Sequence, residues 1–379
     1  METAPSEALG IYLHIPFCAS ICGYCNFNRG LLDDALKRRY VAALAQEIQR
    51  SGDGSRVDSI FFGGGTPSLL DAKEVSRLLS ACRTAFDVAS DAEVTLEMNP
   101  ESCSEAYVSA LLDAGITRIS VGVQSFDDRE LARLGRTHTA GEARAALNAA
   151  RQAGCDNLSI DLMLWLPGQT RAGCAASVDA MLAMEPDHAS LYLLELYPNA
   201  PLREDAARGG WSLAPEEDAA AMYLDALEKT DAAGYDQYEI SNVARPGRRS
   251  CHNLKYWQDG SWLGFGCGAH STRSGVRWRN VSETARYVAS IERARPMVEW
   301  RRRLLPDERL GDALLTGLRL TDGLELATLQ RRYGVDVRER YGGRVRPYAD
   351  AGWLVDDGAR WRLTRCGMLV SNEVMRAFV

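Results

Sequence analysis

Ile15-Pro16-Phe17-Cys18-Ala19-Ser20-Ile21-Cys22-Gly23-Tyr24-Cys25-Asn26-Phe27 is the stretch whose reading decides the fold. Its three thiols, separated by three and then two residues, make one soft-donor loop, and soft thiolates select iron–sulfur clusters, zinc or copper(I). On a cuboidal four-iron cluster such a loop leaves one iron without a protein ligand, the kind of open position at which a substrate or cofactor binds. Zinc is the weaker reading, because no second Cys-x-x-Cys or paired-histidine element accompanies Cys22 and Cys25. A disulfide is weaker again. The ten cysteines are irregularly spaced over 379 residues and no charged-then-apolar leader precedes the motif, so a reducing cytoplasmic compartment is expected. Cys82, Cys103, Cys155, Cys174 and Cys366 read as small buried apolar residues.

Outward from this loop, the first half of the chain alternates short apolar runs with amphipathic helical stretches, the pattern of a parallel sheet. Strands are expected at residues 11–17, 59–62, 93–98, 118–123, 157–164 and 189–196, with helices at 34–50, 72–85, 104–114, 140–153 and 171–184. An α/β barrel or open barrel suits these units. Polar and glycine-rich residues fall just after strand ends: Cys18 to Cys25 after the first, Gly63-Gly64-Gly65-Thr66-Pro67 after the second, Glu97 and Asn99 at the third, Gln124 and Ser125 at the fourth. Ligands bind at the carboxyl ends of parallel strands, so these motifs should converge on one face.

Three units are expected: a barrel over 1–200, an extension over 201–300 and a C-terminal domain over 301–379. In the extension a helix at 216–233 precedes a glycine- and aromatic-rich stretch from Cys251 to His270, which reads as packed loops. Helical patterns at 309–318 and 324–333 then lead to a hairpin at 353–363 with Asp357-Gly358 at its turn. Helices followed by a β-wing suggest a winged-helix-like α+β domain serving a structural or protein-contacting role.

A hydrophobic content of 46% is ample for a core, and a net charge of −7 argues against a nucleic-acid binder held by counterion release. No apolar run approaches the roughly eighteen residues of a membrane span, which leaves room only for peripheral membrane association. Arg245, Arg248 and Arg249 around a Pro-Gly turn, and Arg301, Arg302 and Arg303 at an expected helix start, read as solvated surface.

Taken in order, the cysteine stretch with Tyr12 and His14 before it, Gly63-Gly64-Gly65-Thr66-Pro67-Ser68, Gly122-Val123-Gln124-Ser125-Phe126, Leu134-Gly135-Arg136-Thr137-His138 and Leu166-Pro167-Gly168-Gln169-Thr170 resemble the motifs of radical S-adenosylmethionine (SAM) proteins of the coproporphyrinogen-dehydrogenase-like group. The resemblance implies a radical-SAM partial (β/α)6 barrel holding a 4Fe-4S cluster on Cys18, Cys22 and Cys25, with the SAM amino and carboxylate groups chelating the open iron. It carries Tyr12, Gly64, Gly65, Thr66 and Glu97 to this SAM site. Tyr24, Gln124, Arg136 and Asp161 become nearby SAM contacts, some of which serve a second SAM in the decarboxylating relatives. Side-chain chemistry agrees, since a carboxylate takes ribose hydroxyls or an ammonium and a guanidinium takes a carboxylate bidentately. No catalytic residue is assigned.

Within the group the chain is most similar to the HemW heme chaperones. Phe27 stands where the decarboxylating relatives usually carry a fourth cysteine, and Cys18 lies close to the start. Cys251-His252-Asn253-Leu254-Lys255-Tyr256-Trp257 matches a His-Asn-x-x-Tyr-Trp signature associated with heme. The resemblance implies heme as a third cofactor, His252 as its axial ligand beside Cys251, Arg245, Arg248 or Arg249 as propionate partners, and delivery of heme to an unidentified acceptor protein. On residue chemistry alone His252 reads rather as a structural residue of a loop, and His14, His138 and His270 as structural or pocket-lining. The alternative function is an oxygen-independent coproporphyrinogen III oxidase or a related radical SAM methyltransferase. One departure is Leu164-Trp165, where the family commonly reads Tyr-Gly. The indole is expected to narrow the substrate mouth, the other reading being an aromatic anchor under a neighbouring loop.

Overall fold

The computed structural model describes residues 8–198 and 200–378. Six strands lie side by side in chain order, each parallel to the next: β1 (Leu9–Ile15), β2 (Arg56–Gly64), β3 (Asp87–Met98), β4 (Arg118–Gln124), β5 (Leu158–Leu164) and β6 (His188–Leu193). Parallel neighbours need a crossover, supplied by α1 (Asp34–Ser51), α2 (Ala72–Ala85), α3 (Glu105–Ala114), α4 (Asp128–Leu134) with α5 (Ala140–Gln152), and α6 (Arg171–Leu182). Side chains alternate across a strand. Ile11, Leu13 and Ile15 of β1, Ile60 and Phe62 of β2, and Val94, Leu96 and Met98 of β3 are buried in the main core with Tyr40, Leu44 and Ile48 of α1 and Leu78, Leu79 and Cys82 of α2. The residues between them, Tyr12, His14, Phe61, Gly63 and Glu97, therefore face the barrel interior.

The barrel is open. After α7 (Pro201–Ala207) and α8 (Glu216–Ala232), β7 (Asp236–Glu239) and β8 (Asn242–Ala244) extend the sheet antiparallel beyond β6. Beyond α9 (Cys251–Trp257), β9 (Trp262–Phe265) pairs parallel with β1, and β10 (His270–Arg273), β11 (Val276–Asn280) and β12 (Val298–Arg303) continue antiparallel, with α10 (Thr284–Glu292) between the last two. One sheet of twelve strands results. Residues 236–303 thus supply both of its flanks.

Three expectations are corrected here. The stretch from Cys251 is a helix rather than loop, because Ser250 caps it by accepting from Asn253 N at 3.3 Å. Arg301, Arg302 and Arg303 lie on an edge strand, paired to Trp278, Arg277 and Val276, rather than at a helix start. Cys366 is exposed, whereas Cys82, Cys103, Cys155 and Cys174 are buried.

The C-terminal domain has its own core of Leu310, Leu314, Leu318, Val337, Tyr341, Trp361 and Phe378. Its order is α11 (Pro306–Gly317), β13 (Leu324–Glu325), α12 (Leu326–Tyr333), α13 (Val337–Asp350), β14 (Leu354–Asp356) and β15 (Arg360–Leu363), closed by α14 (Arg365–Leu369) and α15 (Ser371–Met375). The β14–β15 hairpin turns at Gly358, whose φ is 93°, and with β13 makes a three-stranded wing. Sequence reading has no separate helix at α13, which contains Gly342, Gly343 and Pro347. Burial of Val337, Tyr341 and Val345 on one face holds it despite that composition. The domain joins the main sheet where Leu320 bridges Glu239 of β7 and Arg319 pairs with the buried Glu239 carboxylate at 3.1 Å. Among the described residues no helix is long and apolar enough to cross a membrane.

Glu47 of α1 ties the β9–β11 flank to the barrel: it is buried and accepts from Gly266 N at 2.9 Å, Asn280 Nδ2 at 2.6 Å and the Tyr287 hydroxyl. Burial pushes its carboxyl up to about 7 against these three donors. A carboxyl whose folded pKa is raised stabilises the fold at low pH, and that contribution is lost as pH rises through the folded value. We expect Glu47→Ala to cost roughly 3 kcal/mol or more by orphaning three donors. Urea melts at pH 5 and pH 8 should also show a smaller pH difference for the variant than for the native chain.

Candidate cofactor and metal site

The thiol loop leaves β1 through a short parallel pairing of Phe17–Cys18 with Gly30–Leu31. Cys25 N bonds to Cys22 O at 3.2 Å, Gly23 N to Leu134 O at 3.1 Å, and the Arg29 guanidinium reaches the carbonyls of Cys25 and Phe27. Burial pushes the Cys18 and Cys25 thiols up, and the other thiols of the loop add to it. Cationic metal bound here would reverse that tendency. Among the described residues no three His, Cys, Asp or Glu side chains converge as a single metal ion requires. Three thiolates that each take a different iron of one cluster need no such convergence, so the donor set fits a cluster.

Over this loop lies the turn after β2. Gly65 N donates to Ile15 O and Thr66 N to Phe17 O, both at 2.7 Å, while Gly64 N donates to Glu97 Oε2 at 3.1 Å. A Cβ on Gly65 would stand 2.7 Å from Phe17 O and 3.0 Å from Cys18 Sγ, and Gly64 has a φ of 117° that side chains avoid. With its N–H groups taken, what the turn can offer a ligand is carbonyl oxygen, an acceptor suited to an ammonium.

Beside the turn is a cavity of about 360 Å³ lined by Tyr12, Gly64, Glu97, Tyr256, Trp262 and His270 among others. Glu97 is pushed up to about 8, first by burial and then by Asp161. Asp161 is raised by burial too, and accepts from Ser120 Oγ at 3.2 Å. Glu97 and Asp161 are half-buried and, among the described residues, neither forms an ion pair, although Arg118 and Arg136 act on Asp161 from a distance; the pair suits a cationic or polyhydroxyl ligand. Arg136 follows α4 and reaches in from the other side: Nη2 bonds to Asn99 Oδ1 at 2.9 Å and Gly122 O at 2.8 Å, and Nη1 lies 3.5 Å from Cys22 Sγ. Its Nε is buried without a hydrogen-bond partner among the described residues. Tyr24 packs beside it, its hydroxyl held protonated by burial. Gln124 ends β4 with a φ of 70°, backbone strain of the kind that clusters at binding sites.

The cysteines, the glycine turn, Tyr12, Glu97, Gln124, Arg136 and Asp161 are thus brought to one end of the barrel. His252 is placed differently. It is 1% exposed, its Nδ1 lies 3.1 Å from Ser59 Oγ and its Nε2 2.8 Å from the Tyr256 hydroxyl, and burial pushes its pKa down to about 3. Both ring nitrogens are engaged within the protein, whereas an axial ligand needs one of them free; in this arrangement His252 holds Tyr256 against the cavity wall. Arg245 stacks on Tyr235, Arg248 pairs with Asp187 at 3.7 Å and Arg249 with Asp322 at 3.5 Å, each on a protein partner rather than around His252. Trp165, at a φ of 61°, packs on the main core and donates from Nε1 to Ala214 O at 2.9 Å. It anchors the segment before α8 and is not among the residues lining the cavity with Glu97. Sequence reading missed Asn28, whose side-chain amide donates to Cys267 O at 3.1 Å and Ser282 O at 3.0 Å while its backbone carbonyl meets His14 Nε2 at 2.7 Å. Its only signal was its place directly after the cysteine stretch.

The model of the radical SAM superfamily matches residues 12–180, and that of the HemN C-terminal domain matches residues 304–370. The heme chaperone HemW of Bacillus subtilis is 34% identical over 97% of this chain and 98% of its own length. HemW of Mycobacterium tuberculosis is 36% identical over 99% and 96%. The chain belongs to the HemW family of radical SAM proteins. Coproporphyrinogen III oxidase (HemN) from Escherichia coli has the same fold, with a TM-score of 0.84 over 99% of this chain and 91% of that one at 24% identity. Membership of the radical SAM superfamily implies a 4Fe-4S cluster and SAM.

Gly65→Ala should lower the iron content after anaerobic reconstitution, since its Cβ would push on the Cys18 sulfur and the Phe17 carbonyl. Gly30→Ala, in the same loop with nothing within 4 Å of the added carbon, should load iron like the native chain. Equal iron in all three proteins would remove the turn from the site.

Proposed function

We propose that this protein binds a 4Fe-4S cluster on Cys18, Cys22 and Cys25, SAM beside it, and heme, and passes the heme to an acceptor protein. The observation that carries the reading is similarity to HemW heme chaperones along nearly the whole length of both chains. Convergence of the thiol loop, the glycine turn and the two carboxyls supports the cofactor part.

The cluster, when bound, supplies an open iron and an electron. The chain's own residues do the rest. Gly64 and Gly65 let backbone approach the methionine end of SAM, and Glu97 and Asp161 supply acceptors on the inner face. Glu97 is largely protonated in the empty cavity near pH 7 and ionises when a cationic ligand arrives. Arg136 fixes the far wall, tying Asn99 and the Gly122 carbonyl to the Cys22 sulfur through one guanidinium. His252 holds the Tyr256 hydroxyl on the Glu97 side of the cavity.

Proton release accompanies SAM binding on this reading. Calorimetry at pH 7 in buffers of different ionisation enthalpy should show more protons released by the reconstituted native chain than by Glu97→Gln, where only SAM itself has a proton to lose; equal release by both would rule out this role of Glu97. The function itself is tested by loading the protein with hemin and mixing it with an apo-hemoprotein. Heme should move to the acceptor, with no deoxyadenosine formed on adding coproporphyrinogen. Robust coproporphyrinogen-dependent deoxyadenosine formation without heme transfer would overturn the chaperone reading.

A further inference from the structure

The chain has five histidines. Four are buried, each with at least one ring nitrogen engaged: His14 on Asn28 O, His138 Nε2 on Val123 O with Nδ1 3.8 Å from Glu101, His188 on Ser159 and Tyr238, and His252 on Ser59 and Tyr256. His270, at the start of β10, is exposed, and among the described residues its ring makes no hydrogen bond. Trp300 stands beside it, the rings 5.8 Å apart at 70°. Strand register explains the grouping. His270 is level with Arg279 and Trp300 across β10, β11 and β12, and Thr272 is level with Arg277 and Arg302. Residues two apart on a strand share a face, so one sheet face presents an imidazole and an indole, with two more guanidiniums about 7 Å further along.

We infer that this cleft, lined by His270, Arg277, Trp300 and Arg302, is where heme docks, with the His270 imidazole as axial ligand to its iron and Arg277 and Arg302 taking the propionates. The inference rests on the chaperone reading above and gives its cargo a place. The cleft measures about 450 Å³, within the range of small-ligand sites. It brings together the elements a planar, dianionic iron macrocycle requires: a nitrogen ligand with a free lone pair, an aromatic wall, and cations for two carboxylates. Burial, Arg279 and Arg277 lower the pKa of His270, which keeps the lone pair available.

Arg277 pairs with Asp312 at 3.0 Å and Arg302 with Glu308 at 2.6 Å, side chains that are between 29% and 53% exposed. Ion pairs that open to water contribute little, so exchanging an aspartate or glutamate for a propionate costs little. The run Arg301-Arg302-Arg303 concentrates positive charge on a chain whose net charge is −7. His270 also lines the cavity that holds Tyr12, Gly64 and Glu97. Heme seated on His270 would therefore lie at the mouth of the SAM cavity.

The test is hemin titration of the full chain, read from the Soret band, with metal-free protoporphyrin IX as control. His270→Ala should shift the band and weaken hemin binding by roughly tenfold or more, leave protoporphyrin affinity unchanged, and regain the native band on addition of imidazole. The double variant Arg277→Ala and Arg302→Ala should weaken hemin and protoporphyrin alike without moving the band. Circular dichroism should be native throughout, since these side chains are at the surface. A native band and midpoint in His270→Ala would overturn the inference, as would loss of the band in His252→Gln alone. If the native chain binds no hemin, the chaperone reading falls as well.

Discussion

Everything at the functional end of the barrel depends on one close approach between two stretches of backbone. The turn after β2 runs so near the chain leaving β1 that Gly65 and Thr66 both donate to it at 2.7 Å. There is no room for a side chain at Gly65, and at Gly64 the backbone adopts a conformation that favours glycine. From that contact the thiol loop takes its direction, because Phe17 O is held immediately before Cys18. Glu97 takes its position from the same turn, through Gly64 N. Thiols, carbonyls and carboxylate are thereby gathered on a rigid scaffold rather than on a free loop, the arrangement that keeps a binding site preorganised.

Much of this was legible in the sequence, for identifiable reasons. Parallel strands buried on both faces leave near-continuous apolar runs, and the ligand-bearing residues follow them at regular intervals, so both the sheet and the convergence of Cys18, Gly64, Glu97 and Gln124 could be read in advance. What escaped depends on contacts between distant segments. His252 looks like a metal ligand until Ser59, 193 residues away, occupies one of its nitrogens. Trp165 sits at a strand end, but its indole N–H is claimed by Ala214. Three successive arginines carry no periodicity, so nothing in residues 301–303 distinguishes an edge strand from a solvated helix turn. His270 had no motif at all, and its standing comes only from what the neighbouring strands place beside it.

The likeness to HemN in fold extends over nearly the whole chain, yet a shared scaffold does not fix what is done on it. The flank formed by residues 262–303 adds to the barrel a face carrying an imidazole, two tryptophans and several arginines, and Glu47 locks that flank to α1 through three hydrogen bonds. A buried carboxyl is a costly way to fasten a sheet. Here it holds three separate segments, at Gly266, Asn280 and Tyr287, in a single arrangement.

The open sheet leaves two edges, and an unpaired strand edge is a template on which other chains can add. At one end β12 carries Glu299, Arg301, Arg302 and Arg303, charges that discourage a second strand from docking. At the other, β7 is covered by the C-terminal domain, whose Leu320 bridges Glu239 while Arg319 neutralises the carboxylate beneath. The winged domain therefore acts as a molecular bookend. A chain cut before it would have both a bare strand and, at Glu239, an acid stripped of its cation at the same edge, and such a fragment should accumulate as aggregates rather than as a smaller working barrel.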